Sequence, residues 1–153
     1  MNSQNNNEPK LFMFTVPGKP QGKARARTFY NGNSGKMSSV TPEKTVLYEN
    51  LIKTCFRQKY GQERFSDDAY IIVRITAFFA PPKSVSKKKR AEMLADKIRP
   101  AKKPDIDNIA KVVLDALNGI AYHDDTQVVG LAIAKAYSEE PRLEITLGEA
   151  DNT

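Results

Sequence analysis

Between Asp107 and Asn118 the chain writes one strongly two-faced helix. Ile109, Val112, Val113, Ala116 and Leu117 recur at helical spacing and form an apolar stripe. Asp107, Lys111 and Asp115, each four residues apart, form a polar stripe on the same helix. Asn118-Gly119 supplies the stop. A helix divided in this way must lay its apolar side on other structure, and the rest of the chain supplies a sheet. "LFMFTV" (11–16) reads as a short apolar strand stopped by Pro17 and Gly18, and "YIIVRITAFF" (70–79) as a strand with Ile71, Val73, Ile75 and Ala77 on one face. "QVVGLAIAKAY" and "RLEITL" read as two further strands, paired as a hairpin. A first helix begins at Thr41 as N-cap with Pro42 at its first position, and turns Leu47, Leu51, Ile52, Cys55 and Phe56 to the core. "SVSKKKRAEMLADK" predicts a short basic helix capped by Ser84 or Ser86. The order β, α, β, short α, α, β, β predicts an α+β domain: a small mixed sheet with helices packed on one face.

The chain has 153 residues, which suits one domain, expected over 10–149 between a polar, disordered tail at 1–9 and a short tail at 150–153. Residues 18–40 read as a long loop rich in Gly, Lys, Arg and Ser. No apolar run is long enough to cross a bilayer, and the start lacks an apolar signal core. Cys55 is the single cysteine, so no internal disulfide forms, and its helical spacing makes it a packing residue. A cytoplasmic location without membrane contact is the expectation.

Charge is unevenly placed. Lys and Arg total 24 against 18 Asp and Glu, for a net charge of +6. From Arg74 to Lys103 the bases are Arg74, Lys83, Lys87, Lys88, Lys89, Arg90, Lys97, Arg99, Lys102 and Lys103, against only Glu92 and Asp96. A second basic run brings Lys19, Lys23, Arg25 and Arg27. Such runs can be plain solvated surface, but two of them flanking an acidic knot favour a polyanionic partner. Lys19, Lys23, Arg25, Arg27, Lys87, Lys88, Lys89, Arg90, Lys102 and Lys103 are the candidate phosphate contacts, which position a duplex without reading its sequence.

The knot consists of Asp105, Asp107, Asp115, Asp124 and Asp125. In an extended segment Asp105 and Asp107 point the same way, so their carboxylates converge. The helix after them is about 16 Å long, and six extended residues span about 20 Å, enough to return Asp125 to its start. Two carboxylates about 5 Å apart repel by about 3 kcal/mol at an effective dielectric near 20, a cost that a divalent cation removes. All-oxygen ligands favour Mg²⁺ or Mn²⁺. Lys111, one turn along, then neutralises a phosphate or orients water, which is the layout of metal-assisted phosphodiester hydrolysis. Duller roles exist for each residue: Asp107 as N-cap, Asp115 paired with Lys111, and "HDDT" as a solvated turn with His123 exposed.

"KPDIDNIAKVVLDALNG" followed by "AYHDDTQVV" closely resembles the signature of RusA-family Holliday-junction resolvases, common in phages and prophages. "FTVPGKPQGKARART", "TPEKTVLYE", "PPKSVSKKKRAEM" and "KAYSEEPRLEITL" extend the resemblance from about Leu11 to Gly148. It implies a Mg²⁺-dependent endonuclease, in which Mn²⁺ would substitute, acting on four-way DNA junctions in recombination and repair. It implies Asp105, Asp107, Lys111 and Asp125 as catalytic residues, the three aspartates holding the metal, with Asn108, Asp115 and Asp124 in support. It also implies a homodimer, whose two sites make paired symmetrical nicks. Other readings are a broader flap or fork nuclease, a non-catalytic branched-DNA-binding protein, and a D-x-D sugar transferase or phosphatase. The chain is short for a transferase, and "IRPAKKP" stands where a phosphatase has an apolar strand. Phe29 and Tyr30, in the 18–40 loop, either stack on exposed bases or anchor the loop.

Overall fold

The structure, a computed structural model, describes residues 8–150. Most of the tail expected at 1–9, and all of 151–153, lie outside the described residues. The elements in chain order are β1 (Leu11–Pro17), β2 (Arg27–Asn31), β3 (Lys36–Val40), α1 (Glu43–Tyr60), β4 (Ile71–Phe79), α2 (Lys87–Leu94), α3 (Ile106–Leu117), a 3-10 turn at Asp125–Gln127, β5 (Val128–Tyr137) and β6 (Arg142–Glu149). This is the mixed α+β architecture that the strand and helix order predicts.

The main sheet has the order β1-β6-β4-β5, and β2 and β3 form a separate two-stranded sheet. The expected pairing of the last two strands as a hairpin is not what forms. β4 lies between them, antiparallel to β6 and parallel to β5. The link at 138–141 therefore passes across the end of β4, where the Ser138 N–H donates to the Phe79 carbonyl at 2.9 Å. β4 buries Ile71, Val73, Ile75, Ala77 and Phe79 on one face and takes a central place, with a partner strand on each side.

The expected loop at 18–40 is also corrected. It contains the β2–β3 hairpin, closed by a turn in which Gly35, at φ +67, donates its N–H to the Asn31 carbonyl. Sequence periodicity misses this hairpin because neither strand buries a face.

Helix α1 packs on β1 and on α3, and α3 packs on β5. Phe12 and Phe14 of β1, Phe56 and Tyr60 of α1, and Phe65 form an edge-to-face aromatic cluster under the sheet. The buried stripe of α3 is Ile109, Val112, Val113, Ala116 and Leu117, as expected. Ser86 caps α2 through its side chain, whereas α1 begins one residue late, with Pro42 rather than Thr41 at the N-cap. The buried face of α1 is Thr45, Tyr48, Ile52 and Phe56, so Leu47 is turned out and 61% exposed. Cys55 is half-buried, and burial pushes its thiol up, away from the reactive thiolate. Among the described residues no helix is long and apolar enough to cross a membrane.

Ile52→Ala should cost about 2–4 kcal/mol in urea unfolding, the usual loss for emptying a core aliphatic site. Leu47→Ala should change stability by no more than about 0.5 kcal/mol. Equal losses would mean that α1 is rotated from the orientation described.

Candidate active site

Burying the apolar stripe of α3 leaves its other side to solvent, and the acidic knot is distributed from there. Helix α3 starts at Ile106, so Asp105 is the N-cap and Asp107 lies inside the first turn. The N-cap role considered for Asp107 therefore falls away, and the Asp105 carboxylate itself makes no cap hydrogen bond. The backbone is already helical at Asp107, so the extended-segment geometry expected to aim both carboxylates alike is not the one that joins them. Asp107, Lys111, Asp115 and Asp125 line one open hollow of about 560 Å³, walled by Ile106, Ala110, Leu114, Leu131 and Ile133. Asp105 lines the adjoining hollow with Lys102, Lys103 and Lys135, and Ile106 belongs to both.

The turn after α3 returns Asp125 to the helix. Asn118 Oδ1 accepts from the Asp125 N–H at 3.1 Å. Gln127 Oε1 accepts from the N–H groups of His123 and Asp124, while its Nε2 donates to the carbonyls of Ser66 and Ala69. The fully buried Tyr122 donates its hydroxyl to the Leu114 carbonyl at 2.7 Å. Burial, reinforced by the charges of Asp125, Asp115 and Asp124, pushes its phenol far above the usual range, so it stays a neutral donor. His123 is exposed, as expected of a turn residue.

The segment before the hairpin straps this corner together. The Lys23 N–H donates to the Asn108 carbonyl at 2.9 Å, and the Ala24 N–H donates to Thr45 Oγ1 at 3.2 Å. Lys23 Nζ lies 2.5 Å from Glu49 Oε1 on α1 and 3.3 Å from Asp115 Oδ2 on α3. Burial pulls the Lys23 ammonium down, but the hydrogen bonds and charges of Glu49 and Asp115 outweigh it and hold the group above its ordinary value. Lys23, expected among the phosphate contacts, is thus engaged inside the protein, and Asp115 pairs with Lys23 rather than Lys111. Gly22 makes this docking possible: a Cβ there would stand 2.8 Å from the Asn108 Cβ and 2.9 Å from the Pro104 Cβ. Beneath the strap, the Tyr48 hydroxyl is buried beside the Gln21 backbone without closing a hydrogen bond. Asn118, Tyr122, Gln127, Gly22 and Lys135 are the positions that sequence reasoning missed. Apart from Gln127, which closes a capping box with Asp124 at a spacing of three, their partners lie farther along the chain, so no local spacing marks them.

The carboxylates of the knot fall into two sets. Asp115 is paired with Lys23, and Asp124 Oδ2 accepts from Thr126 Oγ1 at 2.6 Å. Asp105, Asp107 and Asp125 have no side-chain hydrogen bond or ion pair among the described residues, and neither has the Lys111 ammonium. As the side chains stand, no group of three acidic, His or Cys residues among the described residues is gathered to hold a metal ion. An unpartnered, all-oxygen donor set on one corner still fits a hard divalent cation better than zinc.

Of the other bases, Lys102 lies over the rings of Phe79 and Tyr137, and Lys135 over Phe79 while donating to the Lys102 carbonyl. Both ammoniums stay at the hollow that Asp105 lines. Lys87, Lys88 and Lys89 are exposed on α2, and Arg90 meets Glu139 at 3.3 Å in a surface pair of little energetic weight. Lys19, Arg25 and Arg27 are exposed before and at the start of the hairpin.

Residues 17–148 match the family model described as endodeoxyribonuclease RusA. The chain is also 36% identical over 138 residues to a Bacillus subtilis (strain 168) protein described as uncharacterized protein YqaN, an alignment covering 89% of this chain and 94% of that one.

Gly22→Ala should cost about 1–3 kcal/mol in urea unfolding, because backbone and Pro104 must move to admit the methyl group; an unchanged midpoint would mean the strap is not seated. Tyr48, Tyr122 and Lys23 all hold their protons more tightly folded than unfolded. The unfolded chain releases these protons first, so their contribution is complete below about pH 10 and falls as pH rises beyond it. Tyr48, pushed up to about 12, contributes beside Tyr122, which is pushed up further. Thermal unfolding from pH 8 to 11 should therefore show a loss above pH 10 that Tyr48→Phe reduces.

Proposed function

The chain belongs to the RusA endodeoxyribonuclease family, and on that premise we propose that it is a Mg²⁺-dependent enzyme resolving four-way DNA junctions by paired symmetrical nicks. The observation that supports this most is the division of the acidic knot: among the described residues Asp105, Asp107, Asp125 and Lys111 have no side-chain partner, while Asp115 and Asp124 are engaged elsewhere. Asp105, Asp107 and Asp125 would hold the cation, for which Mn²⁺ would substitute. When bound, the ion supplies Lewis-acid polarisation of a phosphate oxygen and a water of lowered pKa.

The chain's own groups do the rest. Lys111 carries a fixed positive charge on the wall of the hollow that Asp107 and Asp125 line, where it offsets charge building on the phosphate under attack. The apolar wall of Ile106, Ala110, Leu114, Leu131 and Ile133 excludes water from one side and strengthens that interaction. Lys102, Lys103 and Lys135 take flanking phosphates, and the strap keeps Asp115 from repelling the substrate by holding it against Lys23. Two nicks placed symmetrically need two sites presented together, so the working form is a homodimer. Each nick leaves a 5′-phosphate and a 3′-hydroxyl that ligase can seal.

The test is cleavage of an end-labelled mobile four-way junction in Mg²⁺, beside linear duplex, flap and fork. Paired, ligatable nicks confined to the junction are expected. Asp107→Asn should lower the rate by at least about 100-fold while keeping junction binding, since even residues that merely support a metal ligand cost 10- to 100-fold. Equal cutting of forks and flaps would make it a broader branched-DNA nuclease. Binding without cleavage in either metal would make it a non-catalytic binding protein.

A further inference from the structure

The proposed chemistry does not use the β2–β3 hairpin, yet the hairpin is an odd thing for a small domain to keep. Its strands pair with each other and with no other strand. Phe29 is 46% exposed, Tyr30 67%, Met37 64% and Val40 53%. Neighbouring strand residues point to opposite faces, so Phe29 and Tyr30 put one aromatic ring on each side of the ribbon. An isolated two-stranded ribbon is marginal in water. The segment from Pro17 to Pro42 contains no Asp or Glu, while Lys19, Lys23, Arg25, Arg27 and Lys36 are basic. Of these only Lys23 is paired with an acid among the described residues.

We propose that the β2–β3 hairpin is a stacking arm that takes unpaired bases at the branch point of the DNA on which the enzyme acts. The proposal rests on the nuclease function above and adds the substrate feature that the arm engages. Rings flanked by unpaired cations are what single-stranded nucleic acid binds, the bases stacking while the cations follow the phosphates. A second copy of the chain fits the arm poorly, because it brings the same acid-free basic segment and a net charge of +6. The position is suitable. Lys23 touches Asp115 on the wall of the catalytic hollow, and the hairpin begins at Arg27, four residues on, within about 14 Å along an extended chain.

The experiment combines Phe29→Ala and Tyr30→Ala in Asp107→Asn protein, so that DNA stays uncut. Affinity is measured for a four-way junction and for linear duplex of equal length, at one salt concentration. A 2-aminopurine at the branch point reports base stacking. Junction affinity should fall about tenfold or more, the effect of losing one stacked base, with duplex affinity changed by less than about twofold. The 2-aminopurine response seen with the intact arm should disappear. Phe29→Tyr with Tyr30→Phe, which keeps both rings, should retain affinity and response. Equal loss on both DNAs, no loss on the junction, or a shift from dimer to monomer in sedimentation would overturn the arm. Failure of the nuclease function would show separately, as absent cleavage by the unmodified protein with junction binding intact.

Discussion

Helix geometry and burial together decide where every polar group of α3 can go. Val112, Val113, Ala116 and Leu117 are completely buried, and on the usual scale each large aliphatic side chain contributes about 1.5–3 kcal/mol by leaving water. A helix advances about 100° per residue, so fixing that stripe also fixes the direction of Asp107, Lys111 and Asp115. Rotating α3 to move Asp107 elsewhere would drag apolar groups into solvent. The acidic side is therefore held by the core beneath it rather than by bonds among its own residues.

Two supports from distant parts of the chain complete the corner. Asn118, Gln127 and Tyr122 hold the turn that brings Asp125 to the helix, each through backbone groups of a different segment. The strap, seated through Gly22 and Lys23, ties α1 to the first turns of α3 and removes Asp115 from the free acids. The electrostatic consequence is selective. One carboxylate has a built-in counter-ion and another a hydroxyl donor, and the other three, like the Lys111 ammonium, have no side-chain partner among the described residues.

Local patterns made much of this legible in the sequence. The α3 stripe, the alternation of β4 and the Ser86 cap each involve residues within a few positions of one another, and each is found as expected. What the sequence concealed depends on distance. The insertion of β4 between β5 and β6 is a pairing between segments far apart in the chain, which no pattern inside the last two strands reveals. Lys23 and Asp115 meet across the packing of α1 on α3, whereas spacing alone offered Lys111 as the partner. Leu47 shows the limit of periodicity: it sits four residues from Leu51, but the helix turns Tyr48 and Ile52 inward instead. The β2–β3 hairpin was invisible for the opposite reason, since it buries no face and so writes no alternation. Among the site residues, the identities of the acids were readable, but not which of them are engaged.

The division between engaged and free carboxylates is therefore the point to measure, by calorimetric titration of Mn²⁺ into the protein and into single Asn variants at Asp105, Asp107, Asp125 and Asp124. Changing any of the first three should weaken binding by at least about tenfold, as expected of removing a metal ligand. Asp124→Asn, whose carboxylate accepts from Thr126, should stay within about twofold. Equal weakening by all four, or undiminished binding after loss of Asp107, would contradict the assignment and return the knot to general surface charge.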